Sequence, residues 1–268
     1  MVGNVIVDTF ANAQDGYWTT DTSGTLTVCQ STDSWNVHYD VSTNTLTLNG
    51  AKITGGDNLS NAGIYAAGQN VSLTIVLQGE NTITSDGLGI YVHAPSTGAA
   101  SLSITGSGSL TASGSQHGIM VQGNHGNSTL TIQNANVTAQ GNAYGDGVTV
   151  HADEGSDATL TVNGGSLTAS GRGTYGAGIR YEFGSGETGS GNGYLNLLNN
   201  AFVDTRDGGF ASNSSERKIN DDGKGIVFIG KEGFVLGEAT LRENLTIGSG
   251  QSLTLADGAS LSAGGKNL

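Results

Sequence analysis

The chain has 268 residues, among them 45 glycines and one proline; 12% are charged, 35% are hydrophobic, and 23 acidic against 10 basic side chains give a formal net charge of −13. Such a surface repels nucleic-acid phosphates and anionic lipid headgroups, and no Lys/Arg stripe offsets it, which argues against a nucleic-acid partner. No run approaches the ~20 apolar residues of a membrane span, and the single cysteine, Cys29, excludes an intrachain disulfide framework and is expected as a small buried hydrophobe.

Residues 1–44 read as an N-terminal cap. The small residues of Ala11-Asn12-Ala13 resemble a signal cleavage site, but the preceding segment carries Asp8, no basic charge and only the short apolar stretch Val5-Ile6-Val7. Tyr17-Trp18 and the alternation Trp35, Val37, Tyr39 place both tryptophans ahead of the regular sequence, where they can plug an open apolar end. The other use for such rings is an aromatic platform for sugar.

From Thr45 to about Asn192 one phrase of roughly 28 residues recurs five times, a period that marks a solenoid. Aligning Leu46, Leu73, Leu102, Leu130 and Leu160 gives spacings of 27, 29, 28 and 30. Each phrase holds three short runs of alternating apolar and polar residues, the signature of half-buried strands. The first is Leu-Thr-Leu or its equivalent. The second passes through Ile53, Ile83, Leu110, Val137 and Leu167, and the third opens at Gly63-Ile64, Gly89-Ile90, Gly118-Ile119, Gly147-Val148 and Gly178-Ile179. Gly, Asn, Ser and Asp clusters between the runs supply corners. Strands without partners inside their own phrase must pair with the phrases above and below. The expected fold is all-β, a right-handed parallel β-helix with three sheets, rising about 4.8 Å per coil.

After Asn192 the pattern loosens. Tyr194-Leu195-Asn196-Leu197, Ala201-Phe202-Val203 and Gly225-Ile226-Val227-Phe228 read as the three runs of a further coil, with a polar excursion from Asp204 to Lys224 leaving the scaffold. From Gly233 to Leu268 shorter strands follow at about eight-residue spacing, a continuation with no obvious polar cap. Residues 1–268 are read as a single β-helix domain, with the cap at 1–44, five regular coils at 45–192 and irregular coils at 193–268. The expectation is a segment of a longer polypeptide, with its secretion signal and anchor elsewhere.

The third run tests for chemistry, because its inward Ile or Val fixes which residues face out. The outward positions are Tyr65 and Ala67, Tyr91 and His93, Met120 and Gln122, Thr149 and His151, Arg180 and Glu182. Hydrolysis of a glycan wants two carboxylates, and no two acids stand side by side here. His93 and His151 lie roughly 9–10 Å apart, too far to share a metal ion. Tyr65, Tyr91, His93, Gln122, His151, Arg180 and Glu182 instead mix flat apolar faces with planar hydrogen-bonding groups, which suits a sugar chain lying along the axis. Arg180 offers a fork of donors to the carboxylate of an acidic sugar. Asp153, Glu154 and Asp157 in the following corner are the only candidates for calcium, against a solvated acidic turn. On the first run, Thr45, Thr47, Thr74, Thr129, Thr131, Thr159 and Thr161 make Thr-x-Thr pairs that could order water against ice, broken by Ser72, Ser101, Ser103, Tyr194 and Asn196.

The stretches Asn44-Thr45-Leu46-Thr47-Leu48-Asn49-Gly50-Ala51, Gly63-Ile64-Tyr65, Ile75-Val76-Leu77-Gln78-Gly79-Glu80-Asn81-Thr82-Ile83 and Gly106-Ser107-Gly108-Ser109-Leu110-Thr111-Ala112 resemble secreted and surface-attached bacterial proteins of the pectate-lyase-like β-helix superfamily. The similarity covers about residues 36 to 205 and is to the carbohydrate-binding group that binds polygalacturonate without cutting it. Leu241 to Ser262 resembles the extended tails of gut bacterial surface proteins. The resemblance implies an extracellular, cell-wall-associated, non-catalytic polysaccharide binder or adhesin, with calcium as the implied ion. No catalytic arginine or calcium set of that family maps onto particular positions here. The alternatives are a structural stalk, a polysaccharide lyase or glycoside hydrolase, and an ice-binding protein.

Overall fold

Short runs separated by glycine and asparagine corners cannot pair within one phrase, so their backbone groups are satisfied between phrases. In the computed structural model this produces a parallel β-solenoid of about five turns with about 29 residues per turn. The structure describes residues 1–5, 15–29, 34–55, 61–96, 98–153, 155–174, 176–184, 191–213, 217–220 and 222–268. Ala11-Asn12-Ala13 and Asp8 lie outside the described residues. Among the described residues there is no helix, and hence none long and apolar enough to cross a membrane.

On the first face the strands Thr45–Asn49, Val71–Gln78, Ala100–Gly106, Ser128–Gly141, Ala158–Ser170 and Gly193–Leu198 stack in parallel. Leu46 pairs with Ile75, not with Leu73, so the first spacing is 75−46=29 instead of 27. On the second face Ile83 pairs with Ala112, and Asn81 stands beside Leu110. Both corrections are slips of two residues. Strand side chains alternate with period two, so such a slip leaves every inward residue inward and is silent in the hydrophobic pattern.

The inward columns form the core. Ile75, Ile104, Ile132, Val162 and Leu197 stand one above another, all fully buried, and each such side chain contributes about 1.5–3 kcal/mol relative to exposure. Between the first and second runs one or two left-handed residues turn the chain: Gly50, Gly79, Gly106, Asn134, Gly164 with Gly165, or Asn199 with Asn200. The bend is slight enough that Ser128–Gly141 and Ala158–Ser170 run through it unbroken, which joins two of the three faces into one hydrogen-bonded sheet. The third face is a separate sheet of six strands. Its opening glycines are required by proximity. A Cβ on Gly89 would lie 2.4 Å from the Gly118 carbonyl oxygen, and one on Gly118 2.7 Å from that of Gly147.

The stack is covered by antiparallel strands at both ends. Leu26–Val28, Gly16–Thr20 and Val37–Asp40 lie side by side in that order as an antiparallel sheet, with Gly16–Thr20 in the middle and Val37–Asp40 antiparallel on Thr45–Asn49. Trp18 is buried in the core beneath it, as a plug should be. Trp35 is not part of the plug; it lies beside Tyr17 and His38, whose rings stack 4.2 Å apart. Cys29 is only half-buried, contrary to expectation, because it follows Leu26–Val28, the edge strand of this sheet.

The stretch from Asp204 to Lys224 is not an excursion. Phe210–Ser212 continues the third face on Ile179–Tyr181, Arg217–Ile219 continues the first on Gly193–Leu195, and Gly225–Ile229 lies on the second face against Ala201–Asp204. Three-residue strands are too short to show alternation, so this coil reads as a loop in sequence. Glu216 and Asp221 of this stretch lie outside the described residues. Glu232–Leu236 then folds back antiparallel on Gly225–Ile229. Beyond it parallel stacking resumes with shorter turns, Ser252 on Glu232 and Ser260 on Glu238, spacings of 252−232=20 and 260−238=22. Ile226, Phe228, Val235, Ala239, Leu241 and Leu245 make a second apolar cluster there.

Asn81 occupies an inward position and is 2% exposed. Its Oδ1 accepts from the Ala51 N–H at 2.9 Å and its Nδ2 donates to the carbonyls of Gln78 and Ser109 at 3.0 and 3.2 Å, tying three coils together. Asn81→Ala strands these groups and is expected to cost about 2 kcal/mol or more, whereas Thr74→Ala on the outward side should stay within about 0.5 kcal/mol. Equilibrium urea unfolding of the two variants checks the contrast.

Candidate functional site

The third face is built from Ile64–Ala67, Leu88–Ala94, His117–Gly123, Val148–Ala152, Ile179–Phe183 and Phe210–Ser212. Its ladder register sets Tyr65, Tyr91, Met120, Thr149 and Arg180 in one outward column and Ala67, His93, Gln122, His151 and Glu182 in the next. All seven expected site residues therefore share one face. They do not present themselves equally.

Tyr91 is 9% exposed, enclosed by Ala62, Leu88, Tyr65 and Met120. Its hydroxyl donates to Gln122 Oε1 at 2.6 Å, and its ring stacks on His93 with centroids 5.0 Å apart. Burial raises the pKa of its hydroxyl, and that of Tyr65 to a lesser degree of enclosure. Tyr91 is thus a packed support for His93 and Gln122 and not an open platform.

Arg180 was expected to hold its fork out to a ligand. Its Nε and Nη2 instead donate to Asp146 Oδ2 and Oδ1 at 2.7 and 3.0 Å. Asp146 is 3% exposed and also accepts from the Ala177 N–H at 2.7 Å and from the Thr149 hydroxyl at 3.1 Å. His117 Nδ1 lies 3.1 Å from that hydroxyl and 3.5 Å from Asp146 Oδ2. The network pins the start of the third face across three coils. Sequence reasoning missed His117 and Asp146, yet the signal was three places earlier than the outward column: the residues before the stacked glycines are Ala62, Leu88, His117, Asp146 and Ala177, with two titratable groups on adjacent coils.

The second column is more accessible. His151 Nδ1 lies 3.2 Å from Glu182 Oε2, with side chains 15% and 37% exposed, and Arg180 Nε approaches Glu182 Oε1 at 3.9 Å. The hydrogen bond from His151 holds the Glu182 carboxyl below its ordinary pKa, reinforced by the charges of His151 and Arg180. Burial lowers the pKa of His93, with His151 adding to the effect. Burial also lowers that of His117 against the opposing pull of Asp146 and Glu182, while the Asp146 hydrogen bond raises that of Arg180. Beside the middle of this column a recess of about 490 Å³ is lined by Pro95, Gln122, Asn124, His125, His151 and Asp153. Gln122 Nε2 donates to Asn124 Oδ1 at 3.3 Å across it.

The acidic corner does not assemble a calcium shell from its described carboxylates. Asp153 accepts from the His125 N–H at 2.8 Å, Asp157 accepts from Asn192 Nδ2 at 3.1 Å, and Glu154 lies outside the described residues. Among the described residues no three His, Cys, Asp or Glu side chains converge as metal ligands. On the first face Thr129-x-Thr131 and Thr159-x-Thr161 stand in register on two coils, but their columns continue as Ser101 and Ser103 on one side and Tyr194 and Asn196 on the other.

No protein-family model, curated protein or solved structure matches the chain. The geometry alone therefore carries the functional argument.

Two outcomes follow from these contacts. Asp146→Ala leaves the Arg180 guanidinium without its main partner and is expected to cost about 3 kcal/mol, while Asp146→Ala with Arg180→Met should cost less than the sum of the single changes; urea unfolding of the cycle measures this. His93 and His117 have folded pKa values below the ordinary ~6.5, so the unfolded chain binds more protons just below that value and stability falls as pH drops through it. Glu182, with its folded pKa depressed, adds stability that is complete above the ordinary carboxyl pKa and is lost only at lower pH. Unfolding midpoints between pH 8 and pH 5 should fall, and His93→Gln with His117→Gln should flatten the slope.

Proposed function

We propose that this protein is a non-catalytic polysaccharide-binding protein of the extracellular bacterial surface, and that the glycan lies along the solenoid axis on the third face. The observation that carries the reading is the column His93, Gln122, His151 and Glu182, four planar hydrogen-bonding side chains in register on successive coils beside an open recess. Its repeat is about 4.8 Å, comparable with one sugar residue of an extended glycan, so successive residues meet equivalent donors and acceptors. The support for this column comes from Tyr91 beneath it and from the Asp146–Arg180 network at its side.

The absence of catalysis is part of the same proposal. Asp146, the acid nearest Glu182 across Arg180, is enclosed and accepts four hydrogen bonds, an arrangement for holding structure and not for exchanging a proton with a substrate. An acidic, polygalacturonate-like ligand would need a cation that the column lacks while Arg180 faces Asp146, so the ligand class favoured here is neutral.

Gln122→Ala with His151→Ala is expected to weaken binding to whichever polysaccharide an array identifies by roughly tenfold or more, two lost hydrogen bonds each contributing about 0.5–1.5 kcal/mol. The bound polymer should keep its chain length on size-exclusion analysis. Unchanged affinity in a folded double variant would remove the column from consideration, and shortened polymer would make the protein an enzyme.

A further inference from the structure

A second recess lies on the second face of the solenoid. The outward residues Thr82, Thr111, Thr138 and Thr168 stand in register on four successive coils of the second face. This lane ends where residues 240–245 fold against coil six. Asn200 Nδ2 donates to the Thr240 carbonyl at 3.0 Å, the Thr240 N–H donates to Asn200 Oδ1 at 2.7 Å, and Arg242 Nε donates to the Asn200 carbonyl at 2.9 Å. Between the lane and this wall is a groove of about 500 Å³, within the roughly 300–1,000 Å³ of small-molecule sites.

We infer that this groove is a second glycan site, separate from the third-face column, that takes the terminal residues of a neutral oligosaccharide. The floor supplies hydroxyls from Thr138 and Thr168, which can donate and accept, and from Ser166, which donates to Asn136 Oδ1 at 3.0 Å and can still accept. Phe202, paired in register with Ser166, gives an aromatic ring for the apolar C–H side of a pyranose. The wall presents Arg242 and Glu243, both exposed and of opposite sign, which hydrogen-bond a hydroxyl rim without selecting for ligand charge. A polymer laid along the threonines runs into the wall at coil six, so a chain end fits where a continuous chain does not. The wall belongs to the segment after the antiparallel return at Glu232–Leu236, which gives that short-turn segment a role in completing a site on the main solenoid.

The test uses the full chain with cellohexaose, xylohexaose and mannohexaose as probes, read by backbone amide NMR. At least one hexaose should shift the amides of Ser166 to Thr168 and of Leu241 to Glu243 at millimolar concentration. Thr168→Val and Glu243→Gln, both at exposed positions, should each weaken that response roughly three- to tenfold, while Gln122→Ala with His151→Ala leaves it unchanged. The inference is overturned if no hexaose shifts these amides, if Thr168→Val and Glu243→Gln respond as the parent does, or if the response is lost with the Gln122 and His151 changes. Shifts confined to His93, Gln122 and His151 would overturn the groove and leave the third-face column standing.

Discussion

Everything in this molecule depends on backbone hydrogen bonds made between coils and not within them. A strand such as Ala100–Gly106 has Val71–Gln78 on one side and Ser128–Gly141 on the other, and no neighbour from its own coil in the ladder. Because register passes from coil to coil, one residue type at one position becomes a column. Inward columns of Leu, Ile and Val make a core that no single phrase could bury, and outward columns make linear arrays. The fold thus presents linear surfaces whose spacing is set by the ladder.

Corners are where this order is both vulnerable and adjustable. The spacing grows to 195−160=35 between Leu160 and Leu195 and shrinks to 219−195=24 between Leu195 and Ile219, yet both pairs remain in register. Length variation is absorbed at the turns while the ladder is conserved through the stack. Buried polar residues concentrate at the same places. Asn81, Ser128 and Asp146 each satisfy backbone groups that a turn leaves unpaired: Asn81 receives the Ala51 N–H, Ser128 Oγ receives the Gly123 N–H at 2.7 Å, and Asp146 receives the Ala177 N–H. Apolar packing supplies cohesion, and these few side chains specify where each coil turns.

The coil, its three runs and the face shared by the seven candidate residues were legible in the sequence, because period-two alternation and a period near 28 are both strong and mutually consistent signals. Three things were not legible, each for its own reason. The pairing of Leu46 with Ile75 is hidden because a two-residue slip preserves inward and outward sense. The coil through Phe210–Ser212 and Arg217–Ile219 is hidden because three residues cannot display a period. The engagement of Arg180 by Asp146 is hidden because it joins residues 34 positions apart through a corner, and a column read on one strand position does not include its neighbour's corner.

That engagement also bears on the ligand proposed for the third face. With net charge −13 the surroundings already repel anions. Arg180, the one permanent cation of the candidate column, faces Asp146 at 2.7 Å and Glu182 at 3.9 Å, so its charge is balanced within the protein. Burial keeps His93 and His117 neutral to lower pH than an exposed histidine. The one permanent cation of the column is thus already paired within the protein, which is the ground for the uncharged sugar proposed as its ligand. On the proposed reading a uronic acid polymer would meet Glu182 and the acidic surface with Arg180 already paired to Asp146, which is why the proposal departs from the acidic ligand implied by the resemblance to polygalacturonate binders.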